Sequence, residues 1–301
     1  MQETRKNHYI FRNPTGSTCE FLMTDSPPPS SQYLAAGFRD VDRSGDTTAY
    51  TNCLDLLSDI PFFRNVKKES FRIIAGTAPD RVLDAGCGVG TDLLSLASHI
   101  SGHCHLTGLD ASESLLARAA ERITPIVGRC SLIRGDLTHI PCRDNVFSAC
   151  RIDRVLQHIP EPEPVIRELA RVTAPGGTLV AFDNDWNTYS LSLGNREMSS
   201  RLTRFWRNSF ASGRVGKDLA GLFASAGLTD IHAEPKTLTI VGLSLAEQVF
   251  EIRMLLDRME QAGALAPAEA TNVWEELMRR AQQGTFSSGY TGFLVWGRKP
   301  E

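Results

Sequence analysis

Between residues 80 and 186, short apolar runs alternate with stretches whose apolar side chains recur at helical spacing, and this alternation limits the folds open to the chain more than any other feature. Arg81-Val82-Leu83-Asp84-Ala85, Leu106 to Leu109, Ser131 to Ile133, Phe147 to Ile152 and Thr178 to Phe182 read as strands. Asp92 to Ile100, Glu113 to Ile123 and Pro164 to Val172 read as the helices between them. Parallel neighbours need long crossover connections, and a sheet with helical crossovers is buried on both faces. The pattern therefore predicts an α/β fold with a doubly wound, mostly parallel sheet.

The flanks read differently. Tyr50, Leu54 and Leu57, then Val66, Phe71 and Ile74, fall at helical spacings on either side of Ile60-Pro61, which predicts two helices ahead of the first strand. Residues 1 to about 35 are polar and broken by Pro27-Pro28-Pro29; with Tyr9, Phe11, Phe21 and Tyr33 they read as an arm or lid. After 190, polar helical sequence reaches Gly227, and a strand is expected near Leu238 to Val241. One long amphipathic helix is expected through Val249, Ile252, Leu256 and Met259, a further helix over Ala268 to Arg280, and a closing strand at Gly292 to Gly297. About 45 residues are few for a core of their own, so the helices before the last strand read as an insertion. The expected division is an N-terminal arm with lid helices (1–76), a ligand-binding core (77–242), a helical insertion acting as a lid (243–286) and the last core strand (287–301).

Charge narrows the partners. Thirty-two Lys and Arg against 35 Asp and Glu leave a net charge of −3, so no broad basic face is available for a nucleic acid or an anionic membrane. No apolar run approaches the roughly 20 residues of a membrane-spanning helix. The seven cysteines form no C-x-x-C pair and no metal-type spacing, and the first residues, Met-Gln-Glu-Thr-Arg-Lys-Asn, lack the apolar centre of a signal peptide. A cytoplasmic protein with reduced thiols and no metal is expected.

Asp84-Ala85-Gly86-Cys87-Gly88-Val89-Gly90-Thr91 sets a carboxylate at a strand end and three alternate glycines before a helix. Glycine lets the backbone approach a ligand and adopt positive φ, and the helix start offers unpaired N–H groups. The dinucleotide fingerprint would need its third glycine where Thr91 stands. Asp84 would also repel a pyrophosphate and suits a cationic ligand. Asp110 closes the second strand 24 residues beyond Gly86, where its two oxygens can accept from the hydroxyls of a ribose. Asp136 follows the third strand, placed to accept from an adenine amino group. Ligands of open α/β sheets bind at the carboxyl ends of the strands, so these three acids describe a pocket for a positively charged nucleoside.

As an ordered set, Val82-Leu83-Asp84-Ala85-Gly86-Cys87-Gly88-Val89-Gly90, Gly108-Leu109-Asp110-Ala111-Ser112, Gly135-Asp136-Leu137 and Arg171-Val172-Thr173-Ala174-Pro175-Gly176-Gly177 resemble the class I S-adenosylmethionine-dependent methyltransferases. The likeness is to their small-molecule branch, which includes ubiquinone, menaquinone and natural-product methyltransferases. It implies a seven-stranded sheet, with strands near 231–241 and 289–299. It also implies that Gly86, Cys87, Gly88 and Gly90 line the methionine part of the cofactor and that Asp84 lies near its amino group. By the same likeness Asp110 with Ala111 holds the ribose, Asp136 with Leu137 frames the adenine, and Arg151 lies beside the methyl donor. Cys87 is then a small loop residue and not a nucleophile. Where the family commonly has Phe-Asp, this chain has Phe147-Ser148, whose hydroxyl can still bond locally.

The string Leu156-Gln157-His158 follows the fourth strand, as similar strings do in relatives. His158 is the candidate general base or acceptor-orienting group, since imidazole titrates near neutrality; a buried histidine satisfied by a backbone carbonyl is the alternative. Asp183, Asp185, Trp186 and Tyr189, expected after the fifth strand at the same sheet edge, are candidates for acceptor binding, the two aromatics by stacking; a capped turn with a half-buried Trp is the alternative. Transfer from a sulfonium asks mainly for alignment and exclusion of water, so neither nucleophile nor metal is required. The reading is methyl transfer to oxygen, nitrogen or carbon of a small apolar or aromatic acceptor, quinone-like or a secondary metabolite, with a homo-oligomer formed through the N-terminal arm. An NAD-dependent oxidoreductase, disfavoured by the glycine spacing, and a catalytically silent cofactor-binding scaffold are the alternatives.

Overall fold

The computed structural model describes residues 8–12, 18–22, 38, 41–43 and 47–301. The aromatic side chains of the N-terminal arm, the Pro27-Pro28-Pro29 break and the oligomer expected from the arm lie outside the described residues. The backbone of β1 (His8–Arg12) and β2 (Thr18–Leu22) forms an antiparallel pair, with Tyr9 opposite Phe21.

Helices α1 (Thr47–Asp59) and α2 (Pro61–Ala75) are divided at Ile60, because Pro61 can begin a helix but cannot continue one. The alternating region follows: β3 (Arg81–Ala85), α3 (Thr91–Ala97), β4 (His105–Asp110), α4 (Glu113–Arg122), β5 (Cys130–Arg134), β6 (Phe147–Asp153), α5 (Pro162–Val172) and β7 (Thr173–Leu191). Then come α6 (Arg196–Asn208), α7 (Val215–Ser225), β8 (Thr229–Ile240), α8 (Leu243–Phe250), α9 (Ile252–Gln261), α10 (Pro267–Gln282) and β9 (Ser288–Arg298).

Seven strands form one sheet in the order β5-β4-β3-β6-β7-β9-β8. β3 lies between β4 and β6 and runs parallel to both, with Asp84 level with Gly108 on one side and Arg151 on the other. Crossovers leave β3 toward one edge and β6 toward the other, so the carboxyl ends of β3, β4 and β6 surround the switch point. Alternate residues face opposite sides. Leu83, Leu109, Cys150, Ile152 and Leu179 pack with Val165, Ile166, Leu169, Leu219 and Phe223, from α5 and α7. On the other face Val82, Leu106, Ala149 and Val180 meet Phe71, Ile74, Leu93 and Leu96, from α2 and α3. Ser148 does make a local contact, accepting from the backbone N–H groups of Asp80 and Arg81 and donating to the Arg81 carbonyl.

Three expectations change. The fifth strand is not Thr178 to Phe182 but 19 residues long. It opens with an offset at residues 174–177 between the pairs Phe147–Thr173 and Ala149–Thr178. It then runs through Asp183–Tyr189, which read as lying past the strand because three of its buried side chains, Asp183, Asn184 and Asp185, are polar. The expected single helix through Val249 and Met259 is two, broken at Glu251, whose φ of +46° is left-handed. The Glu247 carboxylate accepts from the Arg253 N–H and supplies the cap at the break.

The chain also divides differently. One compact unit holds Leu34–Asn187, Arg207–Thr237 and Thr291–Glu301; the other includes Thr188–Trp206 and Leu238–Tyr290. The 243–286 helices are thus not a coreless insertion, because the end of β7 and α6 complete an apolar centre for them. There the Tyr189 ring lies 5.2 Å from Trp206 and 5.0 Å from Phe250, with Leu202, Leu245 and Leu256 also buried. No described helix is long and apolar enough to cross a membrane, and no cluster of three or more His, Cys, Asp or Glu among the described residues is placed to hold a metal.

Candidate active site

After β3 the chain turns sharply, with φ of +72° at Gly86, +52° at Gly88 and +74° at Gly90. Side chains are strained in this region by about 1–2 kcal/mol. The Leu109 carbonyl fixes the turn, accepting from the N–H groups of Gly86 and Cys87. A Cβ on Gly86 would stand 2.4 Å from Val155 Cγ2, and one on Gly90 would stand 3.0 Å from Ala119 Cβ of α4. At Gly88 the nearest atom would be Leu54 Cδ1 at 3.5 Å. Gly86 and Gly90 are therefore glycines that let protein pack on protein, and Gly88 is where the backbone lies open.

Asp110 ends β4 beside that opening. Its Oδ2 accepts from the Gly88 N–H at 2.8 Å and its Oδ1 from the Ser112 N–H at 2.9 Å. Burial raises its pKa, opposed by those N–H groups. The Ala111 N–H is directed at the same carboxylate, which keeps an acceptor position for a further donor. Ala111 follows on the surface, and Asp136 stands exposed after β5, its Oδ1 accepting from the Thr138 N–H, with Leu137 buried beside it. Val41, Tyr50, Val89 and Leu115 close together over the glycine turn with Phe38 and Leu54. Asp42 fastens this cover to the start of α4, accepting from Ser112 Oγ at 2.7 Å, Ser114 Oγ at 2.5 Å and the Glu113 N–H at 2.8 Å.

Behind the turn lies an ion cluster with no simple signature in the sequence. Arg151 donates to Asp84 Oδ1 at 2.8 Å, Asp153 Oδ2 at 2.5 Å and Ser70 Oγ at 3.1 Å, and pairs with Asp92 Oδ2 at 2.9 Å. Its side chain is only 2% exposed. The partners of the Arg151 guanidinium within the chain are thus carboxylates, Asp84 among them. Lys67 pairs with Asp92 and Arg154 with Asp153, so three acids meet three bases. Two cations hold the Asp92 carboxyl well below the usual carboxylate range. At Asp84 burial outweighs Arg151, and the pKa rises to about 6.

Gln157, unmarked in the sequence beyond its place before His158, organises the other side of the site. Its Oε1 accepts from Trp186 Nε1 at 2.8 Å and Asn184 Nδ2 at 2.9 Å, and its Nε2 lies 3.1 Å from His158 Nε2. The His158 ring has Phe38 at 5.4 Å and Phe210 at 5.8 Å, and Phe210 stacks on Trp186 at 4.9 Å. Ser212 pins the Phe210 turn by donating its N–H to the Gln157 carbonyl and its hydroxyl to the Ile159 carbonyl. Asp183 is buried, accepting from the N–H groups of Gln157 and Asn184, and burial lifts its pKa to about 7.

Of the expected acceptor-side residues, the structure gathers Asp183 and Trp186 around Gln157 and His158. Asp185 is buried and bonds to Asn187 on its own strand. Tyr189 belongs to the second compact unit. Burial, with Asp84 and Asp110 nearby, raises the Cys87 pKa well above the ordinary thiol value, the opposite of what a nucleophile needs.

The site's chemistry fits an adenosyl sulfonium: carboxylates end β3 and β4 beside an open glycine backbone, favouring a cation with hydroxyls to donate. Known proteins agree. Residues 82–177 match a family model described as a methyltransferase domain. A Streptomyces fradiae protein named "Uncharacterized 37.1 kDa protein in transposon TN4556" is 30% identical over 243 residues, 80% of this chain and 69% of that protein. Demethylmenaquinone methyltransferase of Bacillus mycoides (strain KBAB4) is 26% identical over 210 residues, 64% of this chain and 89% of the relative. Phosphoethanolamine N-methyltransferase 2 of Haemonchus contortus, solved in complex with S-adenosyl-L-methionine, shares the fold at a TM-score of 0.55 and 16% identity, over 100% of this chain and 71% of that one. Motif order, strand order and these likenesses converge: the chain belongs to the class I S-adenosylmethionine-dependent methyltransferases, and S-adenosylmethionine is its cofactor.

Proposed function

We propose that the protein methylates a small, apolar or aromatic acceptor, quinone-like or a secondary metabolite, with His158 as the polar group that orients it. The observation that carries this reading is the pair of rings, Phe38 and Phe210, beside the His158 imidazole, with Trp186 stacked on Phe210. Flat apolar walls favour a flat or apolar ligand, and one polar group among them selects its orientation. The name of the Bacillus relative, which acts on demethylmenaquinone, supports the quinone-like class.

The bound cofactor supplies an activated methyl group on a sulfonium. The chain's contribution is placement. Asp110 offers its remaining acceptor position to a ribose, Gly88 presents open backbone, and Asp136 with Leu137 stands ready for the adenine. Asp84, held by Arg151, offers negative charge to an amino group, and Phe38, Val41, Tyr50 and Leu54 limit access of water to the turn. His158 orients the acceptor by hydrogen bonding. It does not take a proton at Nε2, because that nitrogen faces the Gln157 amide.

The test is an acceptor panel of quinols, phenols, amines and prenyl-type alkenes incubated with S-adenosylmethionine, read by product mass and S-adenosylhomocysteine release. Turnover is expected with apolar or aromatic members, and His158→Ala should lower kcat far more than cofactor affinity. Turnover confined to polar, charged acceptors, or an unchanged kcat in His158→Ala, would overturn the reading.

A further inference from the structure

We propose that Gln157 is a positioning residue that fixes the tautomer of His158, holding the imidazole neutral with its proton on Nδ1. The inference refines the role of His158 proposed above, but it rests on hydrogen-bond directions that hold whether or not that role does.

An indole nitrogen only donates, so the amide atom of Gln157 that lies 2.8 Å from Trp186 Nε1 must be the oxygen. This fixes which end of the amide is which. Asn184 Nδ2 fills the second acceptor position of the same oxygen at 2.9 Å. The amide nitrogen then has two hydrogens to place, and two acceptors face it: the Arg154 carbonyl at 3.3 Å and His158 Nε2 at 3.1 Å. An amide nitrogen has no acceptor capacity, so His158 Nε2 must present its lone pair. A neutral imidazole with a lone pair on Nε2 carries its proton on Nδ1.

The amide has little freedom to turn. Gln157 is buried, and its N–H donates to Asp183 Oδ2 at 3.2 Å, while the His158 N–H closes a turn onto the Val155 carbonyl at 3.0 Å. Trp186 is held by stacking on Phe210, with 17° between the rings. Protonating Nε2 would set N–H against N–H and leave a buried amide donor unmatched, a cost borne by no alternative partner within this set. For a protein whose cofactor is a cation, a neutral imidazole also keeps a second positive charge out of the site.

The test is a long-range proton–nitrogen NMR correlation on protein labelled with 15N-histidine, without ligand and at neutral pH, the His158 signals being assigned by their loss in His158→Asn. The expected pattern is a protonated Nδ1 and an unprotonated Nε2. Gln157→Glu replaces the donor with an acceptor of nearly the same shape and should move the proton to Nε2 or leave the ring doubly protonated. In that variant kcat should fall about tenfold, the value of one hydrogen bond, with cofactor affinity changed less than about twofold. A wild-type ring protonated at Nε2, or a tautomer unchanged in Gln157→Glu, overturns the assignment. Should Gln157→Glu fail to fold, the wild-type spectrum decides alone. The expected tautomer together with normal turnover in His158→Ala would uphold the role of Gln157 and defeat the acceptor-orienting role of His158.

Discussion

Replacing Arg151 by methionine separates the ion cluster's two tasks, holding the fold and holding Asp84. The arginine contacts Asp84, Asp92 and Asp153 at 2.8, 2.9 and 2.5 Å. In the variant Asp92 keeps Lys67 at 2.5 Å and Asp153 keeps Arg154 at 3.1 Å, whereas Asp84, buried at the end of β3, loses the cation beside it. Breaking a buried ion pair from one side costs about 3–5 kcal/mol. At roughly 2–4 °C per kcal/mol in chains of a few hundred residues, the melting temperature should fall by roughly 6–20 °C. The Asp84 pKa, already raised to about 6 by burial, should rise further, leaving the group largely protonated at neutral pH. S-adenosylmethionine affinity should therefore fall by about tenfold or more, the weight of one charge-assisted hydrogen bond. Thermal melts and calorimetric titration on the same preparations measure both effects. Asp84→Asn in the Arg151→Met background should recover part of the lost stability, since it removes the cost of protonating a carboxyl that is ionised in the unfolded chain, but not the affinity. A melting temperature within about 2 °C of wild type, together with unchanged affinity, would refute the reasoning.

Three further outcomes follow from the geometry. Asp183, with a folded-state pKa raised to about 7, binds a proton more tightly in the folded chain. Its contribution is therefore fully present below pH 4 and is lost as pH rises to 7, with a slope of about 1.4 kcal/mol per pH unit, which Asp183→Asn should remove from urea-unfolding stability measured between pH 5 and 7. Gly86→Ala combines a φ of +72° with a Cβ 2.4 Å from Val155 Cγ2 and should destabilise strongly; adding Val155→Ala removes the two nearest atoms, leaves Val155 Cβ at 3.2 Å, and should recover most of the loss except about 1–2 kcal/mol of backbone strain, read by denaturant titration. Asp42→Ala removes the carboxylate that accepts from Ser112, Glu113 and Ser114 at the start of α4, leaving Ser112 as its cap, and should cost about 1 kcal/mol, seen as faster amide exchange in the first turn of α4.

The sequence disclosed what is repetitive and local. Apolar alternation placed β3, β4, β5 and β6 within a residue or two, because Val82, Leu83, Leu106 and Leu109 must be buried on two faces. The glycine turn was legible because only glycine is comfortable at three positive φ values in five residues. Long-range polar partnerships left no such trace. Lys67, Asp92, Arg151 and Asp153 come from two helices and a strand, and nothing in their spacing shows that they meet. Asp183, Asn184 and Asp185 hid the continuation of a buried strand, because side-chain and backbone hydrogen bonds make their burial affordable. Phe210 sits in polar sequence, and only the fold brings it onto Trp186.

Methyl transfer to an apolar acceptor is measured most directly by titrating the protein with S-adenosylmethionine and then adding a quinol or phenol acceptor, following S-adenosylhomocysteine and methylated product together by mass spectrometry. Saturable cofactor binding, weakened in Asp110→Ala, is expected, with one methylated product formed for each S-adenosylhomocysteine released. Binding of NADH without binding of S-adenosylmethionine, or cofactor binding with no S-adenosylhomocysteine formed from any apolar or aromatic acceptor, would contradict that function.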